Sequence, residues 1–158
     1  MIRVAKLTDY ASVLTTYFAR EAGRAYTARD LAAEAHLPLP TVSKVLKSLA
    51  KGGVLTSHRG FKGGYTLARS PEEISLTDII VAMEGPMTLT ECGEEVGQCP
   101  HQSLCPVTAN WQRINFVLRQ ALSTISLAEM THPLPQKLRF GGSKLPIAAA
   151  QSGQMRSL

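Results

Sequence analysis

The chain has 158 residues, of which 44% are hydrophobic and 18% charged. That is enough for one domain with a core and appended elements, and too little for two full domains. Its apolar runs are far shorter than the roughly 18 residues of a membrane span, and the start, MIRVAKLTDYASVL, lacks the apolar run and cleavage site of a secretory signal. The cytoplasm is therefore the expected compartment, with no membrane partner. The net charge of +5 is segregated: residues 1–70 hold eleven Lys/Arg against four Asp/Glu, whereas residues 71–109 hold seven Asp/Glu and no Lys/Arg. A basic first part is the electrostatic footprint of a polyanion, and the acidic stretch is surface that such a partner avoids.

In LTDYASVLTTYFAREAG, Tyr10, Val13, Leu14, Tyr17 and Phe18 fall at helical spacing, Thr8 or Asp9 is placed to cap the start, and Gly23 to end the helix. TARDLAAEA then gives a short second helix, with Thr27 and Asp30 at capping-box spacing. After HLPLP, Pro40 suits a first helical turn, and Val42, Val45, Leu46 and Leu49 form an apolar stripe. Thr41, Ser43, Lys44, Lys47, Ser48 and Lys51 face outward until Gly52 and Gly53 stop the helix. Two short helices joined by a tight turn, the second with a small polar and basic outer face, describe a helix-turn-helix whose second helix fits a DNA major groove.

VLTSHRGFKGGYTL follows as a β-hairpin, with strands near Val54–Ser57 and Tyr65–Leu67 and a glycine-rich tip carrying Arg59 and Lys62. Directly after a recognition helix, such a hairpin is the wing of a winged helix, and its basic tip can meet phosphates or enter a minor groove. Ser75 and Asp78 then repeat the capping-box spacing ahead of Leu76, Ile79, Ile80 and Met83, a helix that Gly85 ends. From Val107 onward, Val107, Trp111, Ile114, Leu118, Ala121, Ile125 and Ala128 make an apolar seam, which predicts one helix over 107–130; its pairing with a second copy in a homodimer is favoured over its docking along its own domain. Residues 131–158 show no sustained periodicity and are expected to lack regular structure, although their charge of +4 could add weak affinity for DNA.

All three cysteines, Cys92, Cys99 and Cys105, lie in ECGEEVGQCPHQSLCP. A cytoplasmic chain with an odd number of thiols argues against a structural disulfide. A loop without apolar periodicity cannot order itself, and a metal centre would order it. The wide C-x6-C-x5-C spacing favours an iron-sulfur cluster; a Cys3His zinc site using His101, redox-active thiols and inert cysteines stay open. Glu91, Glu94 and Glu95 surround these thiols with no local cation, which disfavours the redox reading.

KLTDYA, LAAEAHLPLPTVSKVLKSLAKGGVLTSHRGFKGGYTLA, EEISLTDIIVAMEG and the cysteine loop together resemble the winged-helix iron-sulfur transcription regulators typified by IscR and NsrR, from residue 1 to about residue 130. Within them the chain looks most similar to the branch that regulates the Suf iron-sulfur assembly operon. The resemblance implies a homodimer holding a 2Fe-2S or 4Fe-4S cluster through Cys92, Cys99 and Cys105. The histidine that IscR-like members place three residues after the last cysteine is Thr108 here, and the aspartate that NsrR-like members supply from the other subunit matches Asp9.

The expected fold is mainly α with a small β-hairpin, a winged helix-turn-helix plus a long C-terminal dimerisation helix. Residues 1–84 form the DNA-binding domain, 85–106 the cluster-binding loop, 107–130 the dimerisation helix and 131–158 the tail. The expected function is transcriptional regulation, as a repressor, of an operator in double-stranded DNA in response to cluster status, iron, nitric oxide or oxidative stress, with iron-sulfur assembly genes as targets. Thr41, Ser43 and Lys44 are the candidate base readers, and Lys47, Arg59 and Lys62 the candidate phosphate or groove contacts. A zinc-stabilised DNA-binding protein and an iron-sulfur electron-transfer protein are the alternatives. An enzyme is not expected, because no substrate-site constellation or nucleotide-binding glycine motif accompanies the thiols.

Overall fold

The structure is a computed structural model that describes residues 3–60, 63–90 and 104–132, together with the backbone of 137–140 and 143–146. In chain order the elements are α1 (Lys6–Arg20), α2 (Ala28–Glu34), α3 (Leu39–Lys51), β1 (Leu55–His58), β2 (Gly64–Leu67), α4 (Leu76–Glu84), α5 (Thr108–Ser123), α6 (Leu127–Met130), β3 (Lys137–Phe140) and β4 (Ser143–Pro146). Among the described residues no helix is long and apolar enough to cross a membrane.

The local signals for α2 and α4 hold atom by atom. The Thr27 side chain accepts from the Asp30 amide while the Asp30 carboxylate accepts from the Thr27 amide, and Ser75 and Asp78 repeat the exchange. Each pairing satisfies amide donors that a helix start leaves without partners. The turn between α2 and α3 is tight because His36 takes a left-handed conformation, with φ of 52°.

The apolar stripes of these helices close on one another. Leu14 and Phe18 of α1, Leu31 of α2, Val42, Val45, Leu46 and Leu49 of α3, and Ile79 of α4 are all fully or almost fully buried in one core. Gly52, just past the end of α3, lies so close to α4 that a Cβ added there would meet the Ala82 Cβ at 2.3 Å. Strands β1 and β2 pair antiparallel, Leu55 opposite Leu67 and His58 opposite Gly64. A bridge between Tyr26 and Tyr65, with backbone bonds of 3.0 and 2.9 Å, ties this hairpin to the segment before α2. Gly64 permits that approach, since a Cβ there would sit 2.8 Å from the Tyr26 carbonyl oxygen.

Three expectations are corrected. The first turn of α1 is not capped by Thr8 or Asp9: the N-cap is Ala5, with no side-chain cap of its own. The single helix expected over 107–130 is two. It ends at Ser123, and after Thr124 and Ile125 a new capping box between Ser126 and Glu129 starts α6. The break lets Leu127, 0% exposed, enter the winged-helix core, while backbone bonds from Leu76 to Ile125 and from Leu127 to Ile74 fasten the junction. Finally, the tail carries two antiparallel strands, in which Lys137 pairs with Pro146 and Phe140 with Ser143. A Gly-Gly pair flanked by alternating residues is a short-range hairpin signal that a reading based on composition passes over.

Candidate nucleic-acid interface and cysteine loop

The packing of α3 decides which of its side chains can reach a partner. Val42, Val45, Leu46 and Leu49 turn inward, which leaves Lys44, Lys47 and Lys51 as an exposed ridge on the opposite side. Thr41 and Ser43 flank this ridge and are half-buried. Three ammonium groups at helical spacing form a positive line of the kind that follows a phosphate backbone, and the short hydroxyls beside them leave room for close approach. Lys51 joins Lys44 and Lys47 although it was not among the expected contacts; the spacing 44, 47, 51 carries the signal.

Beside α3 lies the β1–β2 hairpin. Arg59 directly follows β1 and is exposed, while Lys62 lies outside the described residues. Across the strands His58 Nε2 and Thr66 Oγ1 lie 2.9 Å apart, which ties the two strands together next to the tip. No acidic residue occurs from Lys44 to Arg69, so the exposed surface of this unit is basic.

Of the three cysteines the structure describes Cys105; Cys92, Cys99 and His101 lie outside the described residues. Cys105 is half-buried just ahead of α5, where the backbone N–H of Val107 donates to its sulfur and holds the thiol below its ordinary pKa, with a second contribution from the Thr108 hydroxyl. A favoured thiolate is the form that binds metal. The sequence offered no cation to do this; the cause is instead the start of a helix. Asp9 sits exposed in the first turn of α1, and among the described residues no hydrogen bond or ion pair occupies its carboxylate. With Ala5 as the N-cap, the capping role that Asp9 could have had is removed.

The apolar seam of α5 resolves into two faces. Trp111, Asn115, Leu118 and Leu122 turn toward the body of the protein, with Asn115 1% exposed and its Oδ1 accepting from the Leu89 amide at 2.9 Å. This bond pins the segment that leads into the cysteine loop. Val107 and Ile114, each 44% exposed, and Val117, 57% exposed, face outward instead. Ile114 and Val117 join Leu89, Leu118 and Ala121 around an apolar groove of about 400 Å³. Apolar surface gathered on one face of a helix marks an interaction site.

A protein-family model described as Rrf2, iron-dependent transcriptional regulator, matches residues 4–133. Protein rrf2 of Nitratidesulfovibrio vulgaris is 30% identical over 102 residues, which cover 65% of this chain and 68% of that one. A Mycobacterium tuberculosis protein named as an HTH-type transcriptional regulator, Rv1287, is 30% identical over 134 residues, covering 82% and 81%. Among solved structures, IscR of T. potens superposes with a TM-score of 0.59 at 25% identity, over 82% of this chain and 85% of that one. The oxidized form of Staphylococcus aureus CymR gives 0.59 at 25% identity, over 85% and 99%. These relatives are regulators rather than enzymes, and their fold is the one described above. The chain belongs to the Rrf2 family of transcriptional regulators.

Proposed function

We propose that this regulator reads an operator through α3 and the β1–β2 wing as a homodimer, and that an iron-sulfur cluster held by the loop of Cys92, Cys99 and Cys105 controls its affinity for DNA. The observation that carries the reading is Cys105: its thiol is held toward the thiolate by the start of α5, within a segment that contains every cysteine of the chain. A bound cluster would supply a centre whose gain, loss or oxidation changes the charge and the connections of the loop. Residues 1–84 are the DNA-binding unit in this reading, 85–106 the cluster loop, and 107–130 the region that brings two copies together. The compartment is the cytoplasm.

The residues divide the work. Thr41, Ser43 and Lys44 read base edges, and Lys47, Arg59 and Lys62 hold the backbone, so that affinity falls with salt while sequence preference rests on α3. The outward face of α5, with Val107, Ile114 and Val117, buries itself against the same face of a second copy and sets the distance between the two recognition helices. Asp9 is the fourth ligand, supplied across the dimer; its exposed carboxylate is free to take that role. The target genes are those of iron-sulfur cluster assembly, as the resemblance to the Suf-operon regulators implies.

The test is selection of bound sequences from a random double-stranded pool with anaerobic, cluster-loaded protein, followed by affinity measurements with loaded and cluster-free protein. A pseudo-palindromic site whose affinity differs at least about tenfold between the two forms is expected. Equal affinity of both forms for the same site would remove the cluster from the control of DNA binding. Asp9→Ala should change the visible spectrum or shorten the lifetime of the cluster, and an unaltered spectrum with unaltered lifetime would return Asp9 to an ordinary surface residue.

A further inference from the structure

The first turn of α1 takes its cap from the end of α4. Ala5, the N-cap, has no side chain that can accept a hydrogen bond, and Thr8, 1% exposed, buries a hydroxyl in that turn. Glu84, the last residue of α4, answers both. Its Oε1 accepts from the Ala5 amide at 3.0 Å and from the Thr8 hydroxyl at 2.5 Å. A carboxylate placed there satisfies one amide and one hydroxyl donor that the helix cannot and meets the positive end of the helix dipole.

Glu84 also stands at a junction. Gly85 follows it with φ of +84°, a left-handed conformation that ends α4 and turns the chain toward Leu89, Thr90 and the cysteine loop. One carboxylate oxygen therefore joins the root of that loop to the turn that carries Asp9, the residue next to Thr8. Beyond that turn, Leu14 and Phe18 of α1 share one core with Val42, Leu46 and Leu49 of α3.

We propose that Glu84 is a positioning residue, which fixes the first turn of α1 against the root of its own chain's cysteine loop so that Asp9 is held for the cluster of the second copy and a rearrangement of the loop is passed to α1. This rests on the reading that Asp9 and the three cysteines hold the cluster. Its Oε1 contacts to Ala5 and Thr8 are the route by which Glu84 acts on α1.

The test uses the full chain with Glu84→Ala, Glu84→Gln, which keeps an acceptor but loses the charge, and Thr8→Val, which removes only the hydroxyl donor. Amide hydrogen exchange on cluster-free protein reads residues 5–9, while the visible spectrum and its decay in air read the anaerobically prepared loaded protein. Glu84→Ala should exchange about tenfold faster in the first turn of α1 with α3 unchanged, and its cluster should decay several-fold faster, with Glu84→Gln in between. Wild-type exchange at residues 5–9 in Glu84→Ala overturns the bracket itself. Faster exchange with a wild-type spectrum and decay overturns the positioning role. A wild-type protein that takes up no cluster overturns the reading beneath the proposal, and the exchange data tell that failure apart from the other two. Should Glu84→Ala not fold, the same outcomes are read from Glu84→Gln and Thr8→Val.

Discussion

Leu127→Ala tests whether the end of the chain's helical part belongs to the winged unit. Leu127 is 0% exposed in the core, and the stretch around it is fastened by three backbone bonds, Leu76 to Ile125 at 2.9 Å, Leu127 to Ile74 at 2.7 Å and Ala128 to Pro71 at 3.1 Å. Truncating a buried leucine to alanine costs about 2–5 kcal/mol, the larger values where the surroundings cannot close over the space. The backbone bonds on both sides of Leu127 limit such closure, so about 3 kcal/mol is the expected loss. For a chain of this length each kcal/mol lowers Tm by about 2–4 °C, which gives a fall of about 6–12 °C. Thermal unfolding followed by circular dichroism reads it directly. A fall below about 2 °C would show that α6 does not contribute to the folded core and would refute the packing described for it.

Arg59→Ala should weaken DNA binding across sequences and reduce the slope of log affinity against log salt by about one, as expected for one lost phosphate contact; an unchanged slope takes the wing tip out of the interface. Gly52→Ala should destabilise by about 1–3 kcal/mol in spite of alanine's better helix propensity, because its Cβ would meet the Ala82 Cβ at 2.3 Å. An unchanged Tm in that variant would mean that α3 and α4 are not in such close contact. Glu129→Gln probes the capping box of α6. The pKa of Glu129 is lowered by the Ser126 amide and then by the Ser126 hydroxyl, so its carboxylate stabilises the fold above the unfolded-state pKa, and that contribution is lost as pH falls through the lower folded-state value. Wild type should therefore lose more of its Tm than Glu129→Gln on acidification from about pH 5 to pH 3; parallel curves would rule out a role for the ionised cap.

What could be read from the sequence was what rests on local chemistry. The Thr27–Asp30 and Ser75–Asp78 boxes each need four residues to be recognised, and both start the helices they predict. The stripe Val42, Val45, Leu46 and Leu49 fixes how α3 sits, and with it which lysines face outward. Long-range packing was less visible. Nothing near Ala5 shows that its amide is met by Glu84, seventy-nine positions away. The seam of α5 read as one stripe because Trp111 and Leu118 lie next to Ile114 and Ala121 on the helix. Only the body of the protein decides that the first pair turns inward with Asn115. Heptad spacing also carried the expected helix through Thr124–Ser126, although Ser126 and Glu129 have the same capping-box spacing as the two boxes that were read correctly. For the cysteine loop, the thiols were legible and the means of activating Cys105 was not, because a backbone N–H leaves no mark in composition.

Whether the cysteine loop holds an iron-sulfur cluster is read from the visible absorption of protein purified without oxygen, with iron, sulfide and zinc assayed on the same sample. Wild-type protein should be coloured, with stoichiometric iron and sulfide, and Cys99→Ala should be colourless but folded. A colourless wild-type protein containing zinc, or neither metal, would contradict a cluster in the loop.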